Sequence, residues 1–464
     1  MKISKTKNFV VELHHDRRGA VLLYATIFGF IAFSIVVAAV SGYAISEHRA
    51  SVYKHGREMA FQIAEAGVNY YRWHLAHNKE DYRDGTASSG PYIHIYEDKN
   101  GTPIGHFSLN IIPPLIGSSV VTIESTGWLD AQPNSRRTIR ARVGFPSLTD
   151  YAILTNSDIW IGDTEETHGK FHSNGGIRYD GIGDAPITSG VPTYNCKEHH
   201  GCGAGQDKPG IWGTGGPQSF WSFPVPVKSF DVVTIKLSDI KTGAQPENGG
   251  LYLTSSGKSG WRIRFRADGK IDVNKVNSVN CNNGKDIGSN KYVNYCIDIK
   301  TVGTTETRDM PTSSYIYVED TVWVDGVVKG RATIGTATGK SIIINDNLTY
   351  TAKDGNHVLG LIAEQNILIP YNSPNNLEID AAMLAQNGAA KRYFYPGNKR
   401  DNLLVYGSVI SSGVWTWSWV SGGGEVVSGY TNTSMTYDVN LTYGPPPGFP
   451  VGSEYNLISW EEVD

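Results

Sequence analysis

Arg17-Arg18-Gly19-Ala20-Val21-Leu22-Leu23-Tyr24 opens the stretch on which the reading of this chain turns, and Ala60-Phe61-Gln62-Ile63-Ala64-Glu65-Ala66-Gly67 lies towards its end. Between Ala20 and Ile45 there is no charged residue, and a helix of that length can span a bilayer. The helical pattern does not stop at Ser46-Glu47-His48-Arg49. It continues with Val52, Met59, Phe61, Ile63, Ala64, Ala66, Val68 and Tyr71 as an apolar stripe, and with Arg49, Lys54, Arg57, Glu58 and Glu65 on other faces. One helix is expected over 20–79. Its first half is apolar all round and its second half is amphipathic.

Residues 1–19 place Lys2, Lys5, Lys7, Arg17 and Arg18 against Glu12 and Asp16. The positive-inside rule makes this a cytoplasmic basic leader and puts everything after the span outside, as in a single-pass membrane protein. The apolar run is longer than that of a secretory signal, and Ala38-Ala39 imitates a cleavage site only weakly.

The remaining composition fits an external β protein. A net charge of −4 with 19% charged residues excludes the basic signature of a nucleic-acid binder. Fifty-two glycines, 25 tyrosines and 11 tryptophans favour strands and turns, and 464 residues predict more than one domain. The four cysteines fall into two close pairs, Cys196/Cys202 and Cys281/Cys296, which suit small-loop disulfides in an oxidising compartment.

After the turn-rich 80–90 segment, Tyr92–Tyr96, Gly105–Ile111, Val120–Thr126 and Arg137–Val143 alternate with period two. They predict an antiparallel sheet over 80–147, laid on the upper half of the helix. Beyond 148 the strands shorten and recur between Gly, Asn and Asp, as in Asp158–Gly162, Lys170–Gly181, Ser341–Leu348, Val358–Ile369 and Leu377–Ala385. The fold class is therefore mainly β: the long helix, a small α+β unit, then a parallel β-helix or solenoid over 148–464. A β-sandwich is the alternative. An insertion over 192–309 holds all the cysteines, a helix from Lys228 to about Ala244 and a hairpin, Trp261–Phe265 with Lys270–Val273, turning at Asp268-Gly269. The apolar C-terminus, Tyr443–Pro450 and Tyr455–Glu461, is expected to cap the open end of the solenoid.

Two motifs carry a resemblance. Arg18-Gly19-Ala20 resembles a prepilin peptidase site cut between Gly19 and Ala20. The residues Ala60, Phe61, Ala64, Glu65, Ala66 and Gly67 are similar to the A-F-x-x-A-E-A-G signature of PilX-type minor pilins of type IV pili. The resemblance implies a pilin-like helix and sheet, other pilin-like subunits and the membrane as partners, and a role in pilus assembly or surface attachment. Pilins normally carry Glu five residues after the cut, where it pairs with a neighbour's new amine inside the fibre. Here that position is Tyr24. The resemblance then implies a subunit at a pilus tip, or one outside the filament.

Chemistry-bearing groups are few. Asp163, Glu165, Glu166, His168 and His172 crowd into one segment, and glycoside chemistry needs two carboxylates across a cleft. A membrane-tethered carbohydrate-active enzyme is thus the alternative to a structural or adhesive, non-enzymatic protein. His199 and His200 between Cys196 and Cys202 suggest zinc less strongly than a disulfide loop. Asn345-Asp346-Asn347 and Asp380 lack the EF-hand spacing for calcium. No metal or cofactor is expected. Trp415, Trp417 and Trp419 share one face of a strand, either as core or as an exposed strip for a surface polysaccharide or host protein.

Overall fold

A computed structural model describes residues 17–115, 118–203, 205–230, 232–421, 424–452 and 455–463. The leader up to Asp16 lies outside them. The chain forms two compact units, one of residues 1–111, 123–141 and 460–464, the other of residues 112–122 and 142–459.

The first unit is built on α1 (Arg17–His77). The helix buries Ala60, Ile63, Ala64, Val68, Tyr71 and Leu75, a spacing of three and four residues that keeps one face turned to the sheet. Val52 stays exposed, so the buried stripe begins later than the sequence pattern suggests. The helix exit is fixed by Asp81, which accepts the N–H groups of Arg83 and Gly85 and faces His74 Nε2 at 3.0 Å. The Tyr71 hydroxyl donates to the Asp81 carbonyl at 2.9 Å.

The sheet contains β1 (Tyr92–Glu97), β2 (Pro103–Ile112), β3 (Val121–Leu129) and β4 (Gln132–Gly144) in chain order, followed by the C-terminal strand Asn456–Val463. β1 and β2 pair antiparallel, and a two-residue turn at Asp130-Ala131 makes β3 and β4 a hairpin. Phe107, Leu109, Val121 and Ile123 alternate inward. Helix and sheet approach closely at several glycines, Gly127 and Gly67 among them. A Cβ on Gly127 would lie 2.3 Å from the Ala60 carbonyl oxygen, and one on Gly67 would lie 2.2 Å from Ser125 Oγ.

The second unit is dominated by parallel pairing, which is not that of a β-sandwich. In its main ladder one residue per strand stacks in register: Leu251, Ile316, Ile334, Leu361, Met383, Val409, Ile153, Phe171, Ile187, Trp221. A second ladder stacks Val322, Ile342, Ile367 and Ala390. A third stacks Leu348, Ile379, Val405, Met435 and Thr167. The strands Asn376–Ala385 and Lys399–Ser411 serve the third ladder with their first halves and the main ladder with their second. The bend falls at Gly407, whose φ is +148° and whose Cβ would meet the Ala381 carbonyl oxygen at 2.0 Å.

The order of the main ladder is not the order of the chain. The chain enters at Ile153, in mid-stack, and runs outward to Trp221. It then crosses through α2 (Val232–Gly243) to Leu251 at the far end and returns strand by strand until Val409 lies beside Ile153.

Two expectations change. The segment 192–309 is not a single insertion, because Ile211–Trp212, Trp221–Ser222, Leu251–Leu253 and Gly260–Phe265 are ladder strands. Two antiparallel hairpins lie outside the ladders: Thr193–Cys196 with Gln206–Pro209, and Lys270–Gly284 with Val293–Val302. The C-terminus does not cap the stack. Arg331 Nη2 donates to the carbonyls of Gly444 and Pro445 at 2.8 and 2.6 Å, and Thr333 Oγ1 to that of Pro447, so this segment lies along the outer side of the main ladder. Trp221 ends the column instead, packed on the core.

Replacing Gly127 with Leu should force helix and sheet apart. Overpacking of this kind costs about 1–3 kcal/mol. Thermal unfolding in detergent should fall by several degrees, with new protease cuts between residues 46 and 141. An unchanged Tm would refute the close approach.

Candidate functional site

Among the described residues, the longest run of exposed apolar side chains belongs to α1. Tyr24, Phe28 and Phe30 are 71%, 73% and 75% exposed, and their neighbours through Ile45 are alike. From Ala20 to Ile45 such a helix rises about 39 Å at 1.5 Å per residue, enough to cross the hydrocarbon core of a bilayer. One helix of the described residues is long and apolar enough to cross a membrane. Two of its hydroxyls are turned back on the backbone: Thr26 Oγ1 donates to the Leu23 carbonyl at 2.9 Å and Ser34 Oγ to that of Phe30 at 2.7 Å. Gly19 and Ala20 lie in the first turns of the same helix, exposed.

The second motif has a packing role. Ala60 and Ala64 are small enough for the backbone of β3 to touch the helix at Gly127, and Gly67 admits Ser125 and Phe107. Phe61 meets Trp460 of the C-terminal strand edge-on at 5.5 Å, beneath the guanidinium of Arg137. Glu65 is exposed and Ala66 half-buried.

The acidic and imidazole cluster is divided by strand alternation. Glu165 and Thr167 point inward, Glu166 and His168 outward, and Asp163 is exposed in the preceding turn. Glu165 accepts the Gly162 N–H at 2.7 Å, and burial pushes its carboxyl up to about 7. His168 sits between Asp184 at 2.8 Å and Glu166 at 3.5 Å, and the hydrogen bond to Asp184 raises its pKa. His172 belongs to the main ladder, buried between Thr188 and Asn174, and burial lowers its pKa. No two of these carboxylates face each other across a cleft in the manner of a glycosidase pair.

The cysteines pair as Cys196–Cys202 and Cys281–Cys296. His200 is buried beside the first disulfide, and burial lowers its pKa to about 3. Among the described residues no cluster of His, Cys, Asp or Glu could hold a metal ion. Asp380 is spent on the Tyr350 N–H at 2.8 Å and Lys353 at 3.1 Å, and Asn345 donates to Asp325. Trp415 and Trp417 are 3% and 2% exposed, edge-to-face at 4.7 Å in the core. They are therefore not a ligand strip. Trp419 is half-buried and donates to the Arg392 carbonyl.

What sequence reading missed is how the outer faces of the ladders are covered. The column Ile362, Leu384, Ile410, Leu154 faces outward from the main ladder and is buried by Ile240 and Ala244, at and just beyond the end of α2, and by Leu441 and Phe449. The Cys281–Cys296 hairpin lies over the second ladder, where Trp323 Nε1 donates to the Ile297 carbonyl and Tyr295 stacks on Tyr393 at 3.5 Å. The Cys196–Cys202 hairpin lies over the short ladder Ile159, Ile177, Ile211, with Arg178 between Trp160 and Trp212. The third ladder has an open outer row, with Leu404 51% exposed and a chain of side-chain amides from Asn432 to Asn402 to Asn376.

No family model and no curated protein matches the chain. Among solved structures, that of the competence-associated pilin ComZ from Thermus thermophilus is similar at 15% identity over 88% of this chain and 97% of that one. The TM-score is 0.26, too low for the likeness to carry an argument.

Two outcomes test this description. Glu165 is protonated in the fold until about pH 7 and ionises near 4.5 when unfolded, so it subtracts stability as pH rises between those values. Glu165→Gln should remove that slope, gaining about 3 kcal/mol over wild type at pH 8 relative to pH 4 in chemical denaturation. Replacing Cys281 and Cys296 with Ser opens a loop with a sequence separation of 15. It should cost about 3 kcal/mol in the same assay. A smaller loss than that would mean the hairpin holds its place without the bond.

Proposed function

We propose that this chain is a membrane-anchored, minor-pilin-like surface protein with a structural or adhesive role at a type IV pilus. One observation carries the proposal: α1 is a single 61-residue helix whose first half is apolar and uncovered and whose second half packs on its own sheet. A buried stripe alone would make it an ordinary core helix, and an apolar run alone a plain anchor. The combination suits a helix that is held by lipid or by other helices at one end and carries a domain at the other. The motifs at Gly19-Ala20 and Ala60–Gly67 favour the pilin form of that arrangement.

In this reading the basic leader stays in the cytoplasm, Ala20 is the mature N-terminus and both disulfide hairpins are external. The parallel ladders are the faces of a β-helix. Its open asparagine row is the surface offered to a polysaccharide or host protein. Tyr24 supplies no carboxylate for a neighbour's amine, which suits a terminal place in the fibre or one beside it.

Mass spectrometry of the protein extracted from membranes and from sheared pili tests the reading. The expected N-terminal residue is Ala20, with the chain sparse in shear fractions, and Tyr24→Glu should enrich it there several-fold. Recovery with residues 1–19 intact, in membranes alone for both forms, would reduce the protein to a signal anchor.

A further inference from the structure

The densest group of buried donors without acceptors lies beside the second ladder. Arg392 is fully buried, and its Nη2 donates to the Tyr371 carbonyl at 3.3 Å and to Asn398 Oδ1. Arg400, half-buried, donates to the same Tyr371 carbonyl at 3.0 Å. Two guanidinium groups thus converge on one oxygen. Arg392 Nε and Nη1 and Arg400 Nε are buried with no hydrogen-bond partner in the protein, and so is the Tyr395 hydroxyl. The Arg392 guanidinium stands 5.3 Å from the Tyr395 ring centroid.

No carboxylate among the described residues pairs with either arginine within 4.0 Å. Asp298, which does act on Arg392 at longer range, is occupied by the Asn372 N–H and by Asn282 Nδ2, both at 2.7 Å. Burial pushes the Arg392 pKa down to about 10, which still leaves it charged at neutral pH. A buried, unpaired cation such as Arg392 is costly, and a second guanidinium on the same acceptor adds repulsion. Guanidinium donors are best satisfied by an anion, which would neutralise both charges at once.

We propose that Arg392 and Arg400, with Tyr395, form a site for a small inorganic anion. The anion ties the turn at Tyr371 to the segment 392–400 and to Tyr430, whose hydroxyl donates to the Pro374 carbonyl at 3.0 Å. It thereby locks the returning end of the stack.

The probes are sodium chloride and sodium bromide, against sodium gluconate at constant ionic strength, on the full chain in detergent. The wild-type Tm should rise by about 2–4 °C for each tenfold increase in chloride or bromide, and stay level in gluconate. Arg400→Gln, at a half-exposed position, and Arg392→Met should both lose that slope. A bromide-soaked crystal should show an anomalous peak within hydrogen-bond distance of Arg392 Nη1. Equal Tm values in all three salts, an undiminished slope in Arg400→Gln, or a peak-free site filled by water would each overturn the proposal.

Discussion

The second unit depends on one repeated contact, the stacking of an aliphatic or aromatic side chain on its like in the next strand. From Leu251 to Trp221 the main ladder presents such a residue at every step. In a parallel ladder the backbone spacing is uniform, so like side chains fall directly over one another and exclude water along the whole axis. A polar step in this column would leave a buried group with no donor or acceptor to meet it. Polar residues therefore appear only at the edge of the row, where Thr155, Ser173 and Ser189 occupy the next inward position and use their hydroxyls on neighbouring backbone.

A parallel sheet is apolar on both faces and has to be covered on both. In Val358–Ala363 every residue is buried, and that strand could not exist beside bare solvent. This explains features that look unrelated in the chain. α2, the proline-rich Tyr443–Pro450 segment and the two disulfide hairpins each cover an outer face that the stack leaves apolar. The third ladder alternates instead, with Glu378, Leu404 and Ser434 outward, and in the described residues it carries no such cover. The disulfides fit this division, because each closes a hairpin that lies on a face.

The sequence revealed the parts better than their order. The helix, the four strands of the first sheet, the cysteine pairs and the Asp268-Gly269 hairpin all rest on local signals, periodicity and turn chemistry, and these appear nearly where the pattern puts them. The mid-stack entry at Ile153 was not readable. Ile, Leu and Val stack equally well in any order, so register between distant strands leaves no trace in composition. The tryptophans show the same limit. Alternation puts Trp415 and Trp417 on one face, and it does not say whether that face looks inward or out. The acidic cluster was misleading for a related reason: residues adjacent in a strand point to opposite sides, and Glu165 and Glu166 are separated by the wall of the ladder.

The glycines of α1 fall into two kinds. Gly29 and Gly42 have nothing within 4 Å of a notional side chain, whereas Gly56 and Gly67 are pressed against Gln132 and Ser125. In water a mid-helix glycine costs about 1 kcal/mol relative to alanine, and Gly56 and Gly67 offset that by letting the sheet approach. Gly29 and Gly42 gain no such contact from the described residues. They lie on a stretch long and apolar enough to cross a membrane, a setting in which small residues let neighbouring helices come close. The change falls between Ile45 and Gly56, where charged residues first reappear: before it the helix is apolar and exposed, and after it one face packs on the sheet.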